Sequence, residues 1–355
     1  YPLKYEINCP APLSERNSMK LLPTSSWRTL QMVALGIAGL LACGLSAPQS
    51  AAADSWTSVD PNVPAYNSPR LQKTELSSVG SDSMGGLMEI WVEHYRQAQP
   101  EVEIKVASQG SATAAAALIE GSADIGPMAR EMKEVEVEEF KSRYGFEPTQ
   151  VRTALAGVAI YVNAENPLSE ITVEQLDAIY SSQRNRGATK TLTTWGNLGV
   201  TGSLAPVSIM AVASNAHPTT KSYFKQQVML QSEFLSQVTE TASLQGLFDT
   251  IKANKGAIAF GEFHTPPAGV RVVAVSRKTG ESAVVPTIET LTSEEYPLGR
   301  YLNVYLVREP GQTIEPATKE FLRFVLSRQG QELVGKRGLV PLPASVVTKE
   351  LEKIS

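Results

Sequence analysis

Two cysteines, Cys9 and Cys43, are all that this 355-residue chain contains, and neither lies beyond residue 53. From Asp54 onward disulfides and thiol catalysis are therefore excluded. Histidine is nearly as scarce. His94, His217 and His264 stand far apart, with no His-x-x-x-His pair and no carboxylate–histidine cluster of metal-ligand spacing. A hydrolase that relies on a histidine-activated nucleophile or a metal ion is not expected, and no cofactor is implied. A surplus of positive charge is also missing: the chain carries a formal net charge of −4. Residues 1–53 hold four of its 32 Lys+Arg and two of its 36 Asp+Glu, so the remainder stands at −6. Nucleic acid is thus a poor partner, and any anion must be held by a local site, not a general basic field.

No apolar run is long enough for an ordinary membrane span, which needs about 20 residues. Met19-Lys20 opens a short basic region ending at Arg28, followed by the uncharged stretch Thr29–Ala53 with its apolar centre at Val33–Leu41. Ala51-Ala52-Ala53 before Asp54 fits a cleavage site, so residues 19–53 read as a secretory signal peptide. A second exit is open: Leu40-Leu41-Ala42-Cys43 resembles a lipobox, whose cysteine would be acylated. Residues 1–18 precede this Met and read as an upstream extension that is not native. Residues 54–70 read as a flexible linker or tether.

What is present is a pair of loops. Gly80-Ser81-Asp82-Ser83-Met84 follows the strand-like Leu71–Val79 and opens the helix-like Leu87–Ala98. Gln109-Gly110-Ser111-Ala112-Thr113 does the same between Val102–Ala107 and Ala114–Glu120. Small and hydroxylated residues at a helix N-terminus leave amides unobstructed where the helix dipole is positive, an arrangement suited to an oxyanion. Ordinary N-capping is the competing reading of either loop alone.

Downstream, strand and helix patterns alternate, so the fold class is α/β. Val151–Val162 is too long for one strand and suits a segment passing between two lobes. Pro266-Pro267 suggests a second crossing. The first lobe is expected from residues 71–157 plus 267–355, and the second from 158–266. Thr219–Leu235 and Pro316–Gly335 each read as one helix. A cleft between such lobes is the usual ligand site.

Taken together, several motifs resemble the periplasmic phosphate-binding proteins of ABC transporters. They are Gly80-Ser81-Asp82-Ser83-Met84, Gly110-Ser111-x-Thr113, Asp124-Ile125-Gly126-x-Met128-x-Arg130 and Thr194-Trp195-Gly196-x-Leu198-Gly199. Gly256-Ala257-Ile258, Tyr296-Pro297-Leu298-x-Arg300 and Gly338-x-Val340-Pro341-Leu342-Pro343 continue the pattern, which spans nearly all of residues 74–349. The resemblance implies a two-lobed, type II Venus-flytrap fold with two crossover strands. It implies a monomeric, extracytoplasmic, non-enzymatic protein that delivers inorganic phosphate or a related oxyanion to a membrane permease. It also implies four anion loops. Ser83 and the Met84 amide come from the first, Ser111 and the Ala112 amide from the second. The third ends in Arg130, either a fork on the oxyanion or a salt bridge to a nearby glutamate.

The fourth loop departs from the family's Arg-x-x-x-Ser-Gly-Thr. This chain reads Ser214-Asn215-Ala216-His217-Pro218-Thr219-Thr220, with Ser214 in place of the Arg, Pro218 of the Ser and Thr219 of the Gly. One charge-assisted pair, roughly 1.5–3 kcal/mol, is lost, and Pro218 removes a backbone donor. Only Thr220 keeps its family residue; the resemblance leaves Thr219 and Thr220 as this loop's ligand residues, with Ser214, His217 or Lys221 as possible compensating groups, the last two as cations. Otherwise the scaffold has changed or lost its ligand and serves as a sensor or binding module.

Overall fold

The computed structural model describes residues 56–216 and 218–355; the signal-peptide and lipobox readings fall outside them. The chain builds β1 (Thr74–Gly80), α1 (Asp82–Ala98), β2 (Val102–Ser108), α2 (Ser111–Glu120), β3 (Gly126–Met128), α3 (Glu134–Tyr144) and β4 (Thr149–Gly157). Next come β5 (Ala159–Asn163), β6 (Glu170–Thr172), α4 (Val173–Tyr180), β7 (Met210–Ser214), α5 (Pro218–Gln227), β8 (Thr239–Thr241), α6 (Leu244–Ala253), β9 (Ala257–Gly261), β10 (Val270–Val272) and β11 (Ala274–Ser276). The last are α7 (Ile288–Thr292), β12 (Gly299–Leu306), α8 (Pro316–Val325), α9 (Arg328–Lys336) and α10 (Ala344–Lys353).

These elements form two α/β bodies. In the first, β2 pairs in parallel with β1, a bridge between Ser78 and Ile125 links β1 to the approach of β3, and β12 runs antiparallel between β3 and β4. The second holds a five-stranded sheet ordered β10-β5-β9-β7-β8, with a parallel pair β11-β6 beside it. Each helix buries one face. α1 turns Met84, Leu87, Met88, Trp91 and Tyr95 inward, and the Trp91 indole donates to the Gly330 carbonyl at 2.9 Å. Burying each such side chain contributes about 1.5–3 kcal/mol. α4 starts at Val173, because Thr172 and Gln175 cap each other's backbone amides at 2.9 and 3.0 Å.

The run Val151–Val162 does cross: β4 belongs to the first sheet and β5 to the second, with Gly157 at the passage. A Cβ on Gly157 would lie 2.2 Å from the Leu298 carbonyl oxygen, so only glycine lets the strand pass that close. The return comes later than expected. After Pro266-Pro267 the chain stays with the second body, where β10 pairs with β5 and β11 with β6. It rejoins the first sheet only at β12.

Three further differences have local causes. Residues 56–70, expected as a flexible linker, lie against the first body. Val63 is fully buried, Arg328 donates its backbone N–H to the Pro64 carbonyl, and Asp60 accepts from the Ala344 amide at 3.0 Å. α5 stops at Gln227 because Leu230 and Gln231 take positive φ, 47° and 67°, which no helix continues through. The single helix expected over 316–335 is two: Ser327 caps the second through the Gly330 amide. At Gly330 a Cβ would meet the Phe324 carbonyl at 2.2 Å, so the two helices abut backbone to backbone.

Candidate functional site

Where the two bodies meet at the crossing strand lies a cavity of about 30 Å³. Ser83 reaches it from the first turn of α1, and Thr219 and Thr220 from the first turn of α5. Gly157, Tyr223, Glu262, Arg300 and the Gly338–Val340 segment also line it. Two helix N-termini from opposite bodies thus converge, each bringing hydroxyl donors to a place where the dipole is positive.

The expected residues are not all brought to this cavity. Ser83 is half-buried within its lining, but its amide donates to the Asp82 carboxylate at 2.9 Å. The Met84 amide is turned to the Ser81 carbonyl at 3.2 Å, and its side chain is fully buried in the core. Ser111 and Ala112 are not in the lining. Ser111 Oγ accepts from the Ala129 amide at 3.2 Å, tying the second loop to the third. Ala112 is exposed.

Arg130 takes the structural option. Its guanidinium forks onto Glu136 at 2.7 and 2.6 Å and is not part of the cavity. Burial would push the Glu136 carboxyl up, but the Arg130 fork and the Lys133 amide outweigh it and hold the group below its ordinary value.

In the fourth loop, Ser214 is fully buried and donates Oγ–H to Glu262 Oε2 at 3.2 Å while accepting from the Ala216 amide. Lys221 does not compensate toward the cavity: it pairs with Glu240 and sits over the Phe234 ring at 5.3 Å. His217 lies outside the described residues. Of the other histidines, His94 on α1 is hydrogen-bonded to the Ile90 carbonyl and His264 to the Thr265 carbonyl.

Two groups were not singled out as site residues from the sequence. Glu262, 6% exposed, leaves Oε1 without a partner among the described residues. Arg300, in the second position of β12, places its guanidinium carbon 4.1 Å from the centre of the Tyr223 ring. Burial lowers the pKa of Arg300, against the opposing pull of Tyr223 and Asp82. Burial also raises the Tyr223 hydroxyl to about 12, with Arg300 and Arg277 working the other way. Arg300 belonged to a motif visible in the sequence, but only the return of β12 between β3 and β4 carries it to the cleft.

Comparison with known proteins agrees with this architecture. A model of the PBP superfamily domain matches residues 49–329. The phosphate-binding protein PstS of Pseudomonas aeruginosa is 35% identical over 303 residues, covering 85% of this chain and 94% of that protein. Among solved structures, a possible phosphate binding protein from Planctomyces limnophilus superposes with a TM-score of 0.66 at 23% identity, over 80% of this chain and 98% of the other. An ABC-type phosphate transport receptor from Vibrio cholerae gives 0.53 at 23% identity, over 75% and 99%. The two bodies are the lobes of a type II Venus-flytrap fold, and the chain belongs to the PBP superfamily and, within it, to the PstS family.

Proposed function

We propose that this protein captures inorganic phosphate, or a closely related tetrahedral oxyanion, between its lobes and passes it to the permease of an ABC transporter. The observation that carries the reading is the convergence of Ser83 with Thr219 and Thr220, from two helix N-termini on opposite lobes, on one small cavity. The names of the PstS relative and of the Vibrio receptor support the same ligand and the same kind of partner. The protein acts outside the cytoplasm as a monomer and performs no chemistry on its ligand. Residues 19–53 direct its export, and Cys43 is the point of lipid attachment if cleavage occurs there. The first lobe comprises residues 71–157 and the C-terminal segment from β12 onward, and the second runs from residue 158 through β11.

A second reading, the same scaffold with a changed ligand, is favoured by one observation: Ser214 spends its hydroxyl on Glu262, and no guanidinium extends from that loop. Isothermal titration of the protein with phosphate, after unfolding and refolding to strip carried-over ligand, separates the two. Micromolar or tighter binding is expected. Absence of heat up to millimolar phosphate overturns the first reading in favour of the second.

A further inference from the structure

The cavity is lined by a guanidinium that rests on the Tyr223 ring and feels the Asp82 carboxylate at longer range. Among the described residues the Arg300 guanidinium donates no hydrogen bond and joins no ion pair, and its Nε is buried without a partner. Arg130 and Arg152, by contrast, each lie on a carboxylate, Glu136 and Glu294. An unpaired guanidinium taken out of water is costly, and such a group is normally matched by a counter-charge. Here the open space beside it is the space that Ser83, Thr219 and Thr220 also face. Glu262, in the same lining, is turned through Oε2 to Ser214 and forms no ion pair with Arg300.

In the fourth loop itself Ser214 stands in place of the family's arginine and is bonded to Glu262, and Lys221 just beyond it is bound to Glu240. Arg300 approaches from the other lobe. It is steadied by the face of Tyr223, one turn along α5 from Thr219 and Thr220. Stacking fixes the plane of the guanidinium while leaving its N–H groups free to donate within that plane.

We propose that Arg300 is the guanidinium of this binding site: it donates to the oxyanion from the first lobe across to the hydroxyls of the second, in place of an arginine on the fourth loop. The inference rests on the oxyanion reading above but concerns which residue, and which lobe, supplies the charge. An oxyanion so held is gripped by β12 and α5 together, so that ligand and Tyr223 both bind Arg300 across the cleft.

The test is titration of inorganic phosphate into the wild type, Arg300→Met and Arg300→Lys, with circular dichroism to confirm folding. Loss of a two-pronged charged contact should weaken binding at least 100-fold in Arg300→Met. Arg300→Lys, which keeps the charge but not the fork, should lie between the two. A folded Arg300→Met that binds within threefold of wild type overturns the inference and leaves the phosphate reading standing. A wild type that binds neither phosphate, arsenate nor sulfate overturns both. If Arg300→Met does not fold, the ¹⁵Nε–¹H resonance of Arg300 in the wild type decides, assigned by its absence in Arg300→Lys. It should move downfield as phosphate is added, and a resonance that stays in place through saturation overturns the proposal.

Discussion

Arg130 grips Glu136 with two nitrogens, at 2.6 and 2.7 Å, and so ties the third loop to the first turn of α3. The pair is mostly shielded, with side chains 25% and 13% exposed. Arg130→Ala should cost about 1–3 kcal/mol in urea unfolding, between the values for exposed and fully buried pairs. Phosphate affinity should change less than threefold. The carboxyl is held below the ordinary glutamate value of 4.5, so the pair's contribution is present above that value and lost as pH falls through the lowered one. The stability gap between wild type and Arg130→Ala should be full near neutrality and close in acid. A gap independent of pH would show that the fork is not the source.

Lys221 is engaged by Glu240 and by the Phe234 ring, on a side chain only 27% exposed. Lys221→Ala should therefore leave phosphate affinity within about twofold while lowering stability slightly, by up to about 1 kcal/mol. A tenfold loss of affinity by titration would show instead that this lysine turns toward the ligand.

Gln331 is fully buried and entirely used. Its amide donates to the Thr153 and Val325 carbonyls at 2.9 Å each and accepts from Leu342 N–H at 2.7 Å, joining β4, the end of α8 and the C-terminal tail. Gln331→Leu fills the volume but strands three buried backbone groups. The expected cost is about 3–4 kcal/mol in chemical denaturation. A loss below about 1 kcal/mol would mean that water enters to replace the amide.

At the crossing strand, Gly157→Ala sets a methyl against the Leu298 oxygen at 2.2 Å and the Phe263 ring at 2.6 Å. Neither backbone nor ring has room to retreat, so a cost of about 2–3 kcal/mol is expected. Because the residue lies between the two sheets, a change in phosphate affinity should accompany it. Calorimetry measures the first and titration the second.

The parts of the molecule legible in the sequence are those with local causes. The strand–turn–helix loops at Ser83 and Ser111 announce themselves because caps, glycines and hydrophobic period act within a few residues. The passage at Gly157 is legible for a similar reason, as an apolar run too long for one strand. Residues 56–70 misled because Pro, Ser and Asn give a low-complexity pattern, while Val63 and Asp60 are fixed by partners on the far side of the sequence. The split between α8 and α9 was hidden since Ser327 and Gly330 are tolerable inside a helix, and only the neighbouring backbone at Phe324 decides otherwise. Arg300 was visible as a motif but mute as to role, because its meaning comes from Tyr223 and Ser83, placed beside it by tertiary structure alone.

The position of β12 bears on the order in which the molecule can assemble. Every strand of the second lobe, from β5 to β11, is contiguous in the chain, whereas β12 lies between β3 and β4 and is made after all of its neighbours. During synthesis or export the second lobe can close on its own, while the first waits as an unfinished sheet with the edges of β3 and β4 unpaired. The last sixth or so of the chain is thus what completes the part made first, and it delivers Arg300 to the cleft in the same step.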